Sequence, residues 1–259
     1  MYPDLIHSPL QTPLYIRHIS SAPLAETFSR LGLEEGVPIQ ILDRDLPNPP
    51  HWVRVHGAKN IWNRAILSPT MTASLLVQSE EKNDRSLILL DNGEGGFVKE
   101  TLFEENEIEM LGKLGIRNGT YIEKIRPLPV YDFLVELENG KTFWLLLDEA
   151  VRIRGSVNRN KTQLAEVRIG QQFVVESIID DGKPESIGVK GIMPGQSLRI
   201  KKLIAPNERE SLHSAVRILA KNGMQMCIPR KEAQKISVGI CEICWSCGEC
   251  ESIGCQRLF

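Results

Sequence analysis

Cysteine is absent from the first 226 residues of this 259-residue chain, and all six cysteines fall between Cys227 and Cys255. That distribution excludes a disulfide framework spread through the fold and points to a local site of free thiols in a reducing compartment. Long hydrophobic runs are also lacking. The densest, Phe143-Trp144-Leu145-Leu146-Leu147, stops at Asp148-Glu149, far short of the roughly 18 apolar residues a membrane-spanning helix needs. The beginning, Met1-Tyr-Pro-Asp-Leu-Ile-His-Ser-Pro, has neither the basic nor the apolar region of a secretory signal. The expectation is a cytoplasmic chain without membrane insertion. Charge is nearly balanced, with 31 Lys plus Arg against 33 Asp plus Glu, and aromatics make up only 6% of residues. A global basic field and an aromatic-basic array are both missing, which argues against nucleic acid as a partner. No phosphate-binding glycine loop, nucleophile elbow or His-Glu zinc helix occurs.

What is present is an internal repeat. Phe28-Ser-Arg-Leu31-Gly32-Leu33-Glu-Glu-Gly36, Leu111-Gly-Lys-Leu114-Gly115-Ile116-Arg-Asn-Gly119 and Gly191-Ile192-Met-Pro-Gly195 share one pattern. Gly32, Gly115 and Gly191 are 83 and 76 residues apart, and each is followed four residues later by a second glycine. A helix ending at the first glycine, a turn closed by the second, and then an alternating strand (Ile39/Ile41, Leu198/Ile200) explain the pattern. Hairpin-like passages follow: Trp52-Val-Arg-Val-His-Gly57, Phe133 to Trp144 around Asn139-Gly140, and Ala215 to Met226 around Asn222-Gly223. Asn-Gly between alternating strands predicts a type I′ turn. Short segments such as Asp148-Glu149-Ala150 and Lys231-Glu232-Ala233 then lead to a last strand. Short strands, one helical insert and about 75 residues per unit suit a small closed or partly closed β-barrel.

These residues resemble the ferrous iron transport protein A (FeoA) family. Leu164-Ala-Glu-Val-Arg-Ile-Gly170-Gln171 is similar to that family's opening strand, Gly191-Ile-Met-Pro194-Gly195 to its central turn, and Arg230-Lys-Glu232-Ala233-Gln-Lys-Ile to its closing segment. The first repeat matches through Leu31-Gly32-Leu33 and Gly36 but lacks the Glu-Ala pair. The second has Asn118 where the family often has Pro and lacks a clear opening Gly-Gln. The resemblance implies a mainly β fold of three tandem small SH3-like β-barrels, each with a short helix, at residues 1–82, 83–160 and 161–239, with a Cys-rich metal-binding tail at 240–259. It further implies a non-enzymatic module of ferrous iron transport that acts by contact with a transporter or with copies of itself, the candidate protein partner being the G domain of a ferrous iron transporter. Family members usually carry one such domain, whereas this chain has three.

The tail reads Gly239-Ile-Cys241-Glu-Ile-Cys244-Trp-Ser-Cys247-Gly-Glu-Cys250-Glu-Ser-Ile-Gly-Cys255. Thiolates at every third position repel one another and oxidise readily unless a metal holds them. Three thiolates from Cys-x2-Cys-x2-Cys plus one more distant ligand is the ferredoxin arrangement for a 4Fe-4S iron-sulfur cluster. Cys241, Cys244 and Cys247 fit the triple, with Cys250 or Cys255 as the fourth ligand. The Cys-Pro ending of ferredoxins is missing, and the run is similar to the cysteine-rich loop of the ferrous iron transport protein C family. Zinc is the alternative, although its structural sites usually draw on two separated cysteine pairs. A redox dithiol at Cys247-Gly-Glu-Cys250 lacks the βαβ setting of such oxidoreductases.

Other candidates have plain explanations. His51 and His56 could join His18 at a second metal site, but strand ends often carry histidines without one. Glu104 to Glu109 read as the solvated start of a helix. Leu46-Pro47-Asn-Pro49-Pro50 reads as a stiff surface loop. Trp52, Trp62 and Trp144 read as barrel core or inter-barrel packing, and Cys227 as a buried small hydrophobe. Two functions follow: a metal-linked binding protein of the iron-transport accessory type, or an iron-sulfur redox or iron/oxygen sensor whose barrels pass the state of the cluster to a partner.

Overall fold

The alternating apolar pattern becomes strands throughout the described residues, which in this computed structural model are 3–47, 49–56, 62–79, 84–102, 108, 111–179, 191–205 and 214–240. Each repeat divides into an opening and a closing half. The first opening half runs from β1 (Pro13–Ile19) through α1 (Ala22–Arg30) to β2 (Pro38–Pro47). Proline in its first turn suits the start of α1, and Leu24, Thr27 and Phe28 bury one face. The other opening halves join β7 (Gly95–Thr101) to β8 (Tyr121–Pro127), and β13 (Gln172–Ile178) to β14 (Ser197–Ile204). Before the second strand of each, Gly36, Gly119 and Gly195 take φ of 87°, 81° and 88°. At these angles a side chain is strained. Their N–H groups donate to Ile16, Val98 and Val175 at 2.7, 2.8 and 2.8 Å, so the repeat read from glycines is a repeat of hydrogen bonds.

The closing halves are β3 (His51–His56), β4 (Trp62–Leu67), α2 (Pro69–Ser74) and β5 (Leu75–Ser79); β9 (Asp132–Leu137), β10 (Thr142–Leu145), a short helix Leu147–Ala150 and β11 (Ile153–Val157); and β15 (Ser214–Ala220), β16 (Gln225–Pro229), a short helix Arg230–Ala233 and β17 (Ile236–Ile240). Two short strands, β6 (Asp84–Ser86) and β12 (Asn160–Gln163), fold back on β5 and β11. The Asn-Gly turns differ from the expected type I′. Gly140 and Gly223 have positive φ but Asn139 and Asn222 do not. The paired bonds Gly140 N–H to Leu137 O and Leu137 N–H to Lys141 O define a longer loop with glycine in the left-handed position. The two-residue turn with both residues at positive φ is instead Asn158-Arg159, between β11 and β12.

Strand pairing separates the repeat from the folding unit. β1 and β2 pair with β17 and β15, from the far end of the chain. β7 pairs with β5 and β8 with β3, while β13 pairs with β11 and β14 with β9. Every closing half therefore joins the opening half of the next repeat, and the last returns to the first. This gives unit I (β17-β1-β2-β15-β16), unit II (β6-β5-β7-β8-β3-β4) and unit III (β12-β11-β13-β14-β9-β10), one strand order used three times. Units I and II are continuous as an eleven-stranded sheet through the parallel β16–β6 contact, unit III is a six-stranded sheet, and neither sheet closes into a barrel. Hydrogen bonding thus crosses the boundaries expected at 82/83 and 160/161, although the mainly β class is as expected.

The links between halves give a physical reason. Pro47 ends β2, and Pro49 and Pro50 follow it before β3; Pro127 ends β8, and Pro129 follows it before β9. Proline fixes φ, removes a donor and biases its predecessor to extended backbone, so these two links carry the chain onward rather than folding it back as a tight hairpin. The core follows the units. One apolar cluster runs continuously through units II and III, from Val53 and Leu75 to Phe173 and Ile200. A second fills unit I around Phe28, Ile39 and Val216 and takes in Leu76 and Leu102 of unit II. A small third, Ala73, Ile88, Ala215 and Cys227, lies between units I and II. Among the described residues no helix is long and apolar enough to cross a membrane.

Candidate functional site

The cysteines of the expected metal site, Cys241, Cys244, Cys247, Cys250 and Cys255, lie outside the described residues. Their point of departure is described. β17 ends at Ile240, held on one side by β1 and on the other by the bridge from Asp4 to Ser237. At Gly239 a Cβ would stand 2.7 Å from the Tyr15 ring and 2.8 Å from Arg17 Nε. The missing side chain lets both lie over the strand, with the Arg17 guanidinium 4.6 Å from the Tyr15 ring centre. The Arg17 guanidinium thus lies over β17 at Gly239, two residues ahead of Cys241 in sequence.

His18, His51 and His56 are not gathered into a site. Among the described residues no group of three or more His, Cys, Asp or Glu is close enough to hold a metal. His18 instead pairs with Glu35 at 3.0 Å on the surface. Trp52 packs at the edge of the core, with Arg64 and Arg126 5.6 and 5.5 Å from its ring, whereas Trp144 is 46% exposed on β10 rather than in a core. The side chain of Trp62 and the segment Glu104 to Glu107 lie outside the described residues.

The titratable groups with clear shifts meet between units I and II. Lys124 is buried, and its Nζ donates to the carbonyls of Ile88 and Leu90 at 2.7 and 2.5 Å. Burial lowers its pKa, while Asp91, Glu94 and Cys227 oppose the shift. Burial, aided by the nearby Lys124 charge, lowers His51 from 6.5 to about 4 against an opposing hydrogen bond at the Pro49 backbone. His51 Nδ1 has no partner. Burial raises the Cys227 thiol to about 12, so it remains protonated, as expected of a small buried hydrophobe rather than a ligand. A neutral imidazole, a lysine held by carbonyls and a protonated thiol are thus buried together at the junction of the two units.

Lys124 was missed by the sequence reading although alternation marks it. Along Tyr121-Ile-Glu-Lys, Ile122 and Lys124 share the buried face. Its equivalents are Ile41 and Ile200: the carbonyls of Ile41, Lys124 and Ile200 accept from Gln11, Gly93 and Gly170 at 2.9, 2.6 and 2.9 Å. Lysine therefore replaces a core isoleucine in one repeat of three. Gln163 was missed as well. Buried on β12, it accepts from Ile66 N–H at 2.6 Å and donates to Ile66 O and Val151 O at 3.1 and 2.6 Å, joining units II and III.

Two surface grooves occupy corresponding places beside the glycine turns. In unit I a groove of about 560 Å³ lies between Gly32–Pro38 and the hairpin tip Ala220–Asn222. In unit III one of about 380 Å³ lies between Gln172, Ser197–Arg199 and the tip at Glu136–Gly140. They offer peptide-sized surface in two repeats, with Lys221 at one and Glu136, Glu138 and Arg199 at the other. No family model, curated protein or solved structure matches the chain.

Proposed function

We propose that the chain is a non-enzymatic, metal-linked binding and regulatory protein related to the accessory proteins of ferrous iron transport. Its three units are FeoA-like modules of SH3-like strand order, and its tail holds a 4Fe-4S cluster through Cys241, Cys244 and Cys247 with Cys250 or Cys255. The observation that carries this reading is the run of cysteines at every third position, attached directly to β17 beside Arg17. The donor set suits the group: thiolates in this spacing match the triple of a ferredoxin-type site. When bound, such a cluster supplies one-electron redox chemistry and sensitivity to oxygen. The chain's own residues connect it to the fold, because β17 is hydrogen-bonded to β1 and touches the N-terminal segment. The partner is a protein, with the G domain of a ferrous iron transporter as the candidate.

Anaerobic purification with iron, sulfide and zinc analysis and an absorption spectrum tests the reading. The expected result is about four irons and four sulfides per chain, with broad absorption near 400 nm that bleaches in air. Replacing Cys244 and Cys247 by Ser should abolish both the cluster and any partner response. One zinc per chain, no metal, or a partner response that survives this double substitution overturns it.

A further inference from the structure

The repeat allows each surface to be compared with its two counterparts. The residue that caps the short helix after each hairpin is Pro229 in unit I, Ser68 in unit II and Leu146 in unit III. Pro229 and Ser68 are buried, whereas Leu146 is 57% exposed. Two residues earlier, Cys227 and Ile66 are buried and Trp144 is not. The buried pairs are covered because the hairpin edge of one unit meets the strand that enters the next. β16 meets β6 at Gln225–Arg85, and Cys227 N–H donates to Ser86 Oγ at 2.7 Å. β4 meets β12, where Ile66 N–H donates to Gln163 Oε1. The same edge in unit III, β10, is the end strand of its sheet among the described residues.

The complementary half of this contact lies near the beginning of the chain. Ser86 and Gln163 directly precede Leu87 and Leu164, both buried at the start of a 3-10 turn. In unit I the matching pair is Asp4 and the buried Leu5. Pro3 and Asp4 lie along β17 as β6 lies along β5 and β12 along β11: Asp4 bridges Ser237, Val238 N–H donates to Pro3 O at 3.0 Å, and Leu5 N–H donates to Ile236 O at 3.1 Å. The Asp4 carboxylate stands at the position where the Ser86 hydroxyl and the Gln163 amide oxygen accept a backbone N–H from the neighbouring hairpin. A contact made twice inside the chain therefore has its third pair of surfaces at opposite ends of the unit series.

We propose that a second copy of this chain completes that third contact. Unit III of one copy, through β10 and Leu146, docks head to tail on Pro3–Asp4 of unit I of the next. The two surfaces differ, so the interface is heterologous, and repetition yields a ring or a filament rather than a two-fold dimer. This inference is independent of the metal in the tail.

The test uses the full chain in reducing buffer with a chelator, so that neither disulfides nor metal in the tail links copies. In sedimentation velocity across a micromolar concentration series, the mass should rise above the 29.2 kDa of one chain. Leu146→Glu and Asp4→Arg should each remain monomeric. Mixed in equal amounts they should form a dimer and stop there, because the pair retains one intact head and one intact tail. Leu146 is exposed, so its variant should keep the wild-type circular dichroism spectrum. Asp4 accepts from His7 N–H at 2.9 Å; if Asp4→Arg disturbs that turn, a folded domain fused ahead of Met1 blocks the same surface in the mixing experiment. A wild-type chain that stays monomeric throughout, an assembly that survives Leu146→Glu, or a mixture that forms no dimer overturns the proposal.

Discussion

The two junctions inside the chain join the same surfaces of the same repeat by different chemistry. Between units II and III a single apolar cluster is continuous, and the buried Gln163 uses its amide to satisfy both backbone groups of Ile66 and the carbonyl of Val151. Between units I and II the apolar contact is divided, with Leu76 and Leu102 of unit II joining the core of unit I and a small separate cluster at Ala73, Ile88, Ala215 and Cys227; the sheet itself continues through β16 and β6, and titratable groups are buried around it: Lys124, His51 and Cys227. The comparison teaches that a repeated backbone geometry does not dictate a repeated interface chemistry. The first seam is built on a continuous apolar cluster. The second carries the cost of burying titratable groups, and its stability follows their protonation.

The largest expected effect tests whether Gln163 holds the apolar seam. Gln163→Ala leaves the N–H and carbonyl of Ile66 and the carbonyl of Val151 without partners in a dry interface, which should cost about 3–4 kcal/mol in urea unfolding. The corresponding Ser86→Ala removes one acceptor, for Cys227 N–H, and should cost about 1–2 kcal/mol. Equal losses in the two variants would show that the seams are energetically alike.

The next effect concerns pH. His51 is neutral in the folded chain because its pKa is lowered to about 4, whereas in the unfolded chain it titrates near 6.5. Below 6.5 the unfolded state takes up a proton that the folded state does not, so stability present above that pH is lost as pH falls toward 4. Over that window the loss should reach about 3 kcal/mol. Denaturant melts at several pH values, compared with His51→Gln, measure it: the variant should be flatter between pH 6.5 and 4, and parallel curves would remove His51 from the acid response.

The smallest effect separates charge from packing. Lys124→Ile installs the residue found at the equivalent positions 41 and 200. It relieves the burial of a cation but leaves the carbonyls of Ile88 and Leu90 without their donor, so net stability at neutral pH should change by less than about 1 kcal/mol. The His51 pKa should nevertheless rise, because a positive charge beside it is gone. Ring-proton NMR titration reads this directly, and an unchanged His51 would show that burial alone sets its pKa.

Several features were legible because they depend on neighbours in sequence. The glycine pairs predicted the turns, since Gly36, Gly119 and Gly195 sit at φ values that disfavour other residues. Alternation predicted the strands, and Cys227 was read as a buried hydrophobe. Other features were misread for local reasons. Asn139-Gly140 and Asn222-Gly223 form wider loops, because an Asn-Gly pair permits a type I′ turn without requiring one. Asn158-Arg159 forms the two-residue turn because the β11–β12 register demands it. The second repeat lacks the opening Gly-Gln pair, having Gly93-Glu94, yet Leu87 to Gly93 occupies the place of Leu164 to Gly170 and Leu5 to Gln11, an equivalence that the hydrogen bonds of Gln11, Gly93 and Gly170 show and residue identity concealed.

The sequence by itself determined the repeat, the mainly β character, the turn positions and the concentration of thiols at one end, because each depends on backbone preference or composition over a few residues. Tertiary structure decided which halves pair. A threefold repeat has the same period whether each closing half folds back on its own opening half or passes to the next, and both arrangements bury the same apolar faces. The choice rests on proline-stiffened links and on contacts between residues far apart in the chain, such as Gln163 with Ile66 and β17 with β1. Long-range pairing of this kind has no local signature, so the exchange of halves, the buried Lys124 and the exposed edge at β10 emerge only in the folded chain.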